Sequence, residues 1–133
     1  MPVYEYVVVR RSVSPAVRTN GTLNGAAVNL STYGAESGIA FINTGTVTDG
    51  SHAVSVEESD TGAGGWSAIP AGRLSATPPT ITSANSDTQF ETGFSAGKAF
   101  VRVVIVTTGA TTGGLLSAGV VIGDVGYDPV SHA

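Results

Sequence analysis

At 133 residues the chain has the size of one domain, long enough to bury a core without a metal or disulfide. It contains no cysteine, which excludes a thiol nucleophile, a Cys-rich zinc site and a disulfide framework, and fits a reducing compartment. Only 12% of its residues are charged, against roughly 25% in ordinary soluble domains, and a net charge of −4 argues against duplex nucleic acid, which demands clustered Lys and Arg.

The first stretch, "VYEYVVVRR", reads as a strand with Tyr4, Tyr6 and Val8 opposite Val3, Val7 and Val9. Both faces are apolar, and covering both takes more than one sheet of a small monomer, so a partner is expected on one of them. Its start places charges after a short apolar run, and no later stretch approaches the roughly 20 apolar residues of a membrane span, so neither export nor membrane insertion is expected. Arg10, Arg11 and Arg18 against Glu5 give residues 1–18 a net charge of +2, and the rest of the chain carries −6. This stretch is either a basic arm that lies across an acidic neighbour or, more simply, a first strand with solvated arginines. We therefore divide the chain into an N-terminal strand or arm (1–18), a body (19–125) and a tail (126–133).

"GAAVNL" supplies the next candidate strand. "SGIAFINTG" and "SHAVSVEES" then flank "TVTDGS", where Asp49-Gly50 is a strong hairpin signal. His52 shares a face with Val54 and Val56, the position of a partly buried structural histidine. "VEESDTGAGGW", 56–66, is the densest chemical signal, but Glu57 and Glu58 are adjacent on a strand and point to opposite faces, so they cannot act as an acid/base pair. The same stretch lacks the six to eight oxygens of a calcium loop, and no helix follows "GAGGW" to receive a phosphate. A hairpin tip remains: Ser59 and Asp60 start the turn, the glycines take left-handed positions, Trp66 opens the next strand, and the acids are solvated.

Residues 70–85 show no clear alternation, and Pro78-Pro79 bars a central strand there, so the segment is read as a crossover between sheets. "DTQFETGF" puts Phe90 and Phe94 on one face. In "KAFVRVVIVTT" the inward set is Val101, Val103 and Ile105, and in "GGLLSAGVVIGD" it is Leu116, Ala118, Val120 and Ile122. The small residues of "TTGATTGG" between them predict one long hairpin over 98–124. Seven or eight short strands with almost no helix predict an all-β fold, an antiparallel two-sheet β-sandwich of jelly-roll or immunoglobulin-like order. No "GxSxG" elbow or histidine triad is present, and no catalytic, metal or cofactor residue is assigned.

Taken together, "TVTDGSHAVSVEESDTGAGGWSAIP" and "TITSANSDTQFETGFSAGKAFVRVVIVTTGATTGGLLSAGVVIGD" resemble head decoration, or cement, proteins of tailed bacteriophages. In that pattern an acidic strand end and an Asp-Gly turn lead to a Trp, followed by a "YVRV"-like strand and a "TGGA"-like turn. The likeness spans about 19–124, with one extra loop residue before Trp66 and Phe100 in place of a Tyr. It implies a non-enzymatic virion protein on the capsid exterior, made in the host cytoplasm. Its partners would be the major capsid protein and further copies of itself, a trimer favoured over a dimer, with no nucleic acid, membrane or cofactor. Tyr4, Tyr6, Arg10, Arg11, Arg18 and Tyr127 are the expected interface residues. A sugar-binding jelly roll of the discoidin type, with Trp66 as an exposed platform, and a phage tail or fibre component are the alternatives.

Overall fold

The computed structural model describes residues 7–123. Ten strands run in the order β1 (Val8–Arg18), β2 (Gly21–Asn24), β3 (Val28–Asn29), β4 (Ser37–Val47), β5 (Ser51–Ser59), β6 (Ser67–Ala68), β7 (Thr80–Ile81), β8 (Gln89–Ser95), β9 (Phe100–Thr108) and β10 (Gly114–Ile122). Among the described residues, helix is confined to 3-10 turns at Ser31–Tyr33, Ala71–Arg73 and Ser83–Asn85. One sheet has the order β1-β10-β4-β8 and the other β2-β9-β5-β6, with β3 also on β9 and β7 also on β5; every pairing is antiparallel.

The pairings are nested. β1 pairs with β10, β2 and β3 with β9, β4 with β8, and β5 with β6 and β7. A long hairpin rolled up on itself produces this order, which is that of a jelly roll. Such a roll moves the chain to the opposite sheet at most connections, and this overturns two sequence expectations. The Asp49-Gly50 turn joins β4 to β5 in different sheets, and "TTGATTGG" joins β9 to β10 in different sheets. Neither is a hairpin. The 59–66 loop between the paired strands β5 and β6 is one, as read from the sequence. Segment 70–85 does cross between the sheets, since Leu74 bridges to Phe94 on β8 and Ile81 then pairs with His52 on β5.

The core lies where period two placed it. Val101, Val103, Ile105, Leu116, Ala118, Val120 and Ile122 are all buried, with Phe94, while Phe90 is half-buried against them. Residues 8–18 belong to the body as the edge strand of the first sheet, in register with β10 from Val8↔Ile122 to Arg18↔Gly114.

The register slips between Arg11 and Val13, leaving Ser12 as the extra residue of a bulge that bends β1 toward the second sheet. There Ser12 Oγ accepts a hydrogen bond from the Val103 N–H (3.0 Å) and donates to the Ala26 carbonyl (3.0 Å). Ser12→Ala orphans both groups in a site only 5% exposed. The variant should lose about 2 kcal/mol of unfolding free energy in a urea titration, whereas Ser14→Ala, on the exposed side of the same strand, should lose almost none.

Candidate functional site

Three places concentrate polar or exposed groups. The first is the 56–66 hairpin. Ser59, fully buried, holds the turn: its Oγ accepts from the N–H groups of Thr61 (3.2 Å) and Gly62 (3.1 Å) and donates to the Gly64 carbonyl. Gly62 and Gly65 have φ of 74° and 66°, the left-handed region expected of them. The acids, however, are not all solvated. Glu58 is 3% exposed, and its carboxylate accepts from both terminal nitrogens of Arg73 (3.0 and 2.7 Å) and from the Gly97 N–H (2.8 Å).

Arg73 donates further to the Ser95 carbonyl (3.0 Å), so one ion pair ties β5, the 71–73 turn and the loop after β8 together. The Arg73 guanidinium first, and the Gly97 N–H after it, hold the Glu58 carboxyl below its ordinary value despite burial. The acids were expected to be solvated at the hairpin tip; Glu58 is not, because its cation, 15 residues away on the 71–73 turn, is brought to it only by the fold. Glu57, on the opposite face as expected, accepts from Arg102 (2.8 Å), whose guanidinium lies 4.2 Å from the centre of the half-buried Trp66 ring. Trp66 therefore sits beneath an arginine on the outer face of the second sheet. Asp60 is exposed.

The second place is the end of the sandwich where the two inter-sheet turns meet. The Asp49 carboxylate accepts from the N–H groups of Thr111 (3.1 Å), Thr112 (3.1 Å) and Gly113 (2.7 Å). These backbone donors, Gly113 foremost, hold its carboxyl below the ordinary value. His52 is fully buried, deeper than the partly buried position expected of it. Its Nε2 donates to the Asp49 carbonyl (3.1 Å), and its Nδ1 bonds the Thr107 hydroxyl (2.7 Å). Asp49 and His52 are thus latches between turns, with each polar atom engaged by the fold. Among the described residues no group of three or more His, Asp or Glu could hold a metal ion, and no helix is long and apolar enough to cross a membrane.

The third place is the outer face of the first sheet. Val9, Val17, Ile39 and Leu115 are 56%, 59%, 39% and 40% exposed there, beside the half-buried Phe41 and Val121. The register sets them in rows. One runs Val9, Val121, Ile39, Gly93, and the next Arg11, Gly119, Phe41, Glu91. A Cβ on Gly119 would come within 2.7 Å of Phe41 Cζ, so the Phe41 ring lies over the β10 backbone.

Of the expected interface residues, Arg11 is exposed on this face. Arg10 turns the other way and donates to the Tyr33 hydroxyl (2.7 and 3.1 Å), and Arg18 donates to the Ser14 carbonyl. Strand alternation thus separates Arg10 from Arg11. Tyr4, Tyr6 and Tyr127 lie outside the described residues, as does the tail 126–133.

A groove of about 440 Å³ runs between β5 and residues 68–78, lined by Val54, Val56, Ile69 and Leu74 with the hydroxyls of Ser55 and Thr77. It has no titratable side chain, so its walls supply shape and hydrogen bonds but no acid or base. No protein-family model matches the chain, and no curated protein matches it.

Proposed function

We propose that this is a non-enzymatic structural protein of a tailed-bacteriophage virion, a decoration or cement protein that binds the outside of an assembled head and stabilises it. The observation that carries the reading is the outer face of the first sheet, where Val9, Ile39, Phe41, Leu115 and Val17 remain in reach of solvent on a sparsely charged body. Soluble monomers keep contiguous apolar patches small, and a larger one marks a surface that another protein covers. The residues with chemical potential support the same reading. Asp49, His52, Glu58 and Ser59 are each committed to holding loops.

The motif likeness to head decoration proteins supplies the partner class, the major capsid protein, on the capsid exterior. Many identical weak contacts around one shell give an avidity that a single contact lacks, so the protein needs neither a cofactor nor a reaction. Mixing the purified protein with expanded shells that lack it and sedimenting them should recover it with the shells to saturation, and far more tightly than with unassembled capsid subunits. Failure to cosediment at low salt, or equal binding to free subunits, overturns the reading.

A further inference from the structure

We propose that the outer face of the first sheet is self-complementary, and that a second copy of this chain packs on it face to face about a two-fold axis parallel to the strands. The inference deepens the structural-protein reading by naming what covers that face. Its basis is the order of side chains across the sheet. In the row Arg11, Gly119, Phe41, Glu91 the cation stands on edge strand β1, the anion on edge strand β8, and the small and large residues between them. A two-fold along the strands reverses left and right within each row but keeps the row level. Arg11 of one copy then meets Glu91 of the other at both rims, and the two Phe41 rings, each leaning over its own Gly119, meet near the axis.

The neighbouring row matches as well. Val9 faces Gly93 of the second copy, and Val121 faces Ile39. Arg11 and Glu91 have no ionic partner in their own chain among the described residues, so both are available to pair across the interface. A two-fold running across the strands through the same row would instead set Arg11 against Arg11 and Glu91 against Glu91, which like-charge repulsion disfavours.

Size agrees with the symmetry. Four strands about 4.8 Å apart and about nine residues long at roughly 3.3 Å each present about 600 Å² of flat area. Side-chain relief brings this near the roughly 800 Å² per partner of a standard stable interface. An apolar centre with a charged rim is the usual anatomy of such an interface, and sheets stacked this way cross at about 30°, which keeps the central rows in register. A face that matches itself is served by a two-fold, whereas a three-fold ring joins unlike patches, so a dimer replaces the trimer expected from the sequence.

The test is sedimentation equilibrium at low salt on the full chain and three variants. The unmodified chain should be a dimer. Arg11→Glu and Glu91→Arg should each weaken association by about tenfold or more, and the double variant Arg11→Glu/Glu91→Arg should recover most of the loss. Both side chains are exposed, so far-ultraviolet circular dichroism should show every variant folded. A monomer at all concentrations, a trimer, or a double variant weaker than either single overturns the two-fold. Shell binding is read separately: a monomer that still saturates expanded shells removes the two-fold and leaves the decoration reading standing, and a dimer that ignores shells does the reverse.

Discussion

Replacing Val103 with aspartate is expected to abolish the folded state. Val103 is fully buried in the middle of β9, paired with Val56 on β5, and its own backbone groups bind Ser12 Oγ and the Gly25 N–H (2.8 Å). A carboxylate there has no cation to meet and no water to reach. It must stay charged at a cost of several kcal/mol or take up a proton at nearly the same cost. Domains of this size are stable by only about 5–15 kcal/mol, so the variant should show no cooperative melting transition and no native β-sheet circular dichroism. Val106→Asp is the control. It sits three residues along the same strand but is 39% exposed, and it should melt cooperatively within a few degrees of the unmodified chain. Cooperative melting of Val103→Asp would mean that the inner face of β9 is not the core.

The second large effect belongs to Glu58. Glu58→Gln keeps the size of the side chain but removes the charge that holds Arg73 and the Gly97 N–H, and it should cost about 2 kcal/mol. Asp60→Asn, two residues away and exposed, should stay within about 0.5 kcal/mol. The pH dependence follows from the direction of the shifts. Glu58 and Asp49 both have folded-state carboxyls held below their ordinary values of 4.5 and 3.8, so the unfolded chain takes up protons first as pH falls. Their contribution is therefore complete above about pH 5, and it is lost as pH drops through the depressed folded values. Melting temperature should be flat from pH 5 to 7 and should fall steeply below about pH 4. Glu58→Gln should start lower and fall less. An equal acid slope in the two proteins would remove Glu58 from the account.

The inward sets of β9 and β10 were legible because alternation is a local property: a residue two places along a strand must point the same way whatever the strand pairs with. Ser59 as a turn former and Gly62 and Gly65 as left-handed positions were legible for the same reason, since their partners lie within five residues. His52 was legible as a buried neighbour of Val54 and Val56, although nothing local pointed to Thr107. The role of Glu58 was not, since its partners Arg73 and Gly97 come from a turn and a loop that only the rolled fold brings to the end of β5.

That the chain is all-β, which of its residues turn inward on β9 and β10, and where it turns could all be read along the residues. Each of these depends on backbone preference and side-chain alternation over a few residues. Strand pairing is not local in this way, because a glycine-rich turn bends the chain equally well within a sheet or between two. The choice at Asp49-Gly50 and at "TTGATTGG" is made by contacts far along the chain: the Asp49 carboxylate on the 111–113 amides, and the nesting of β1 on β10. The face shared by Val9, Ile39, Phe41, Leu115 and the Arg11–Glu91 row was decided there too, since it exists only where four separate strands become neighbours in one sheet.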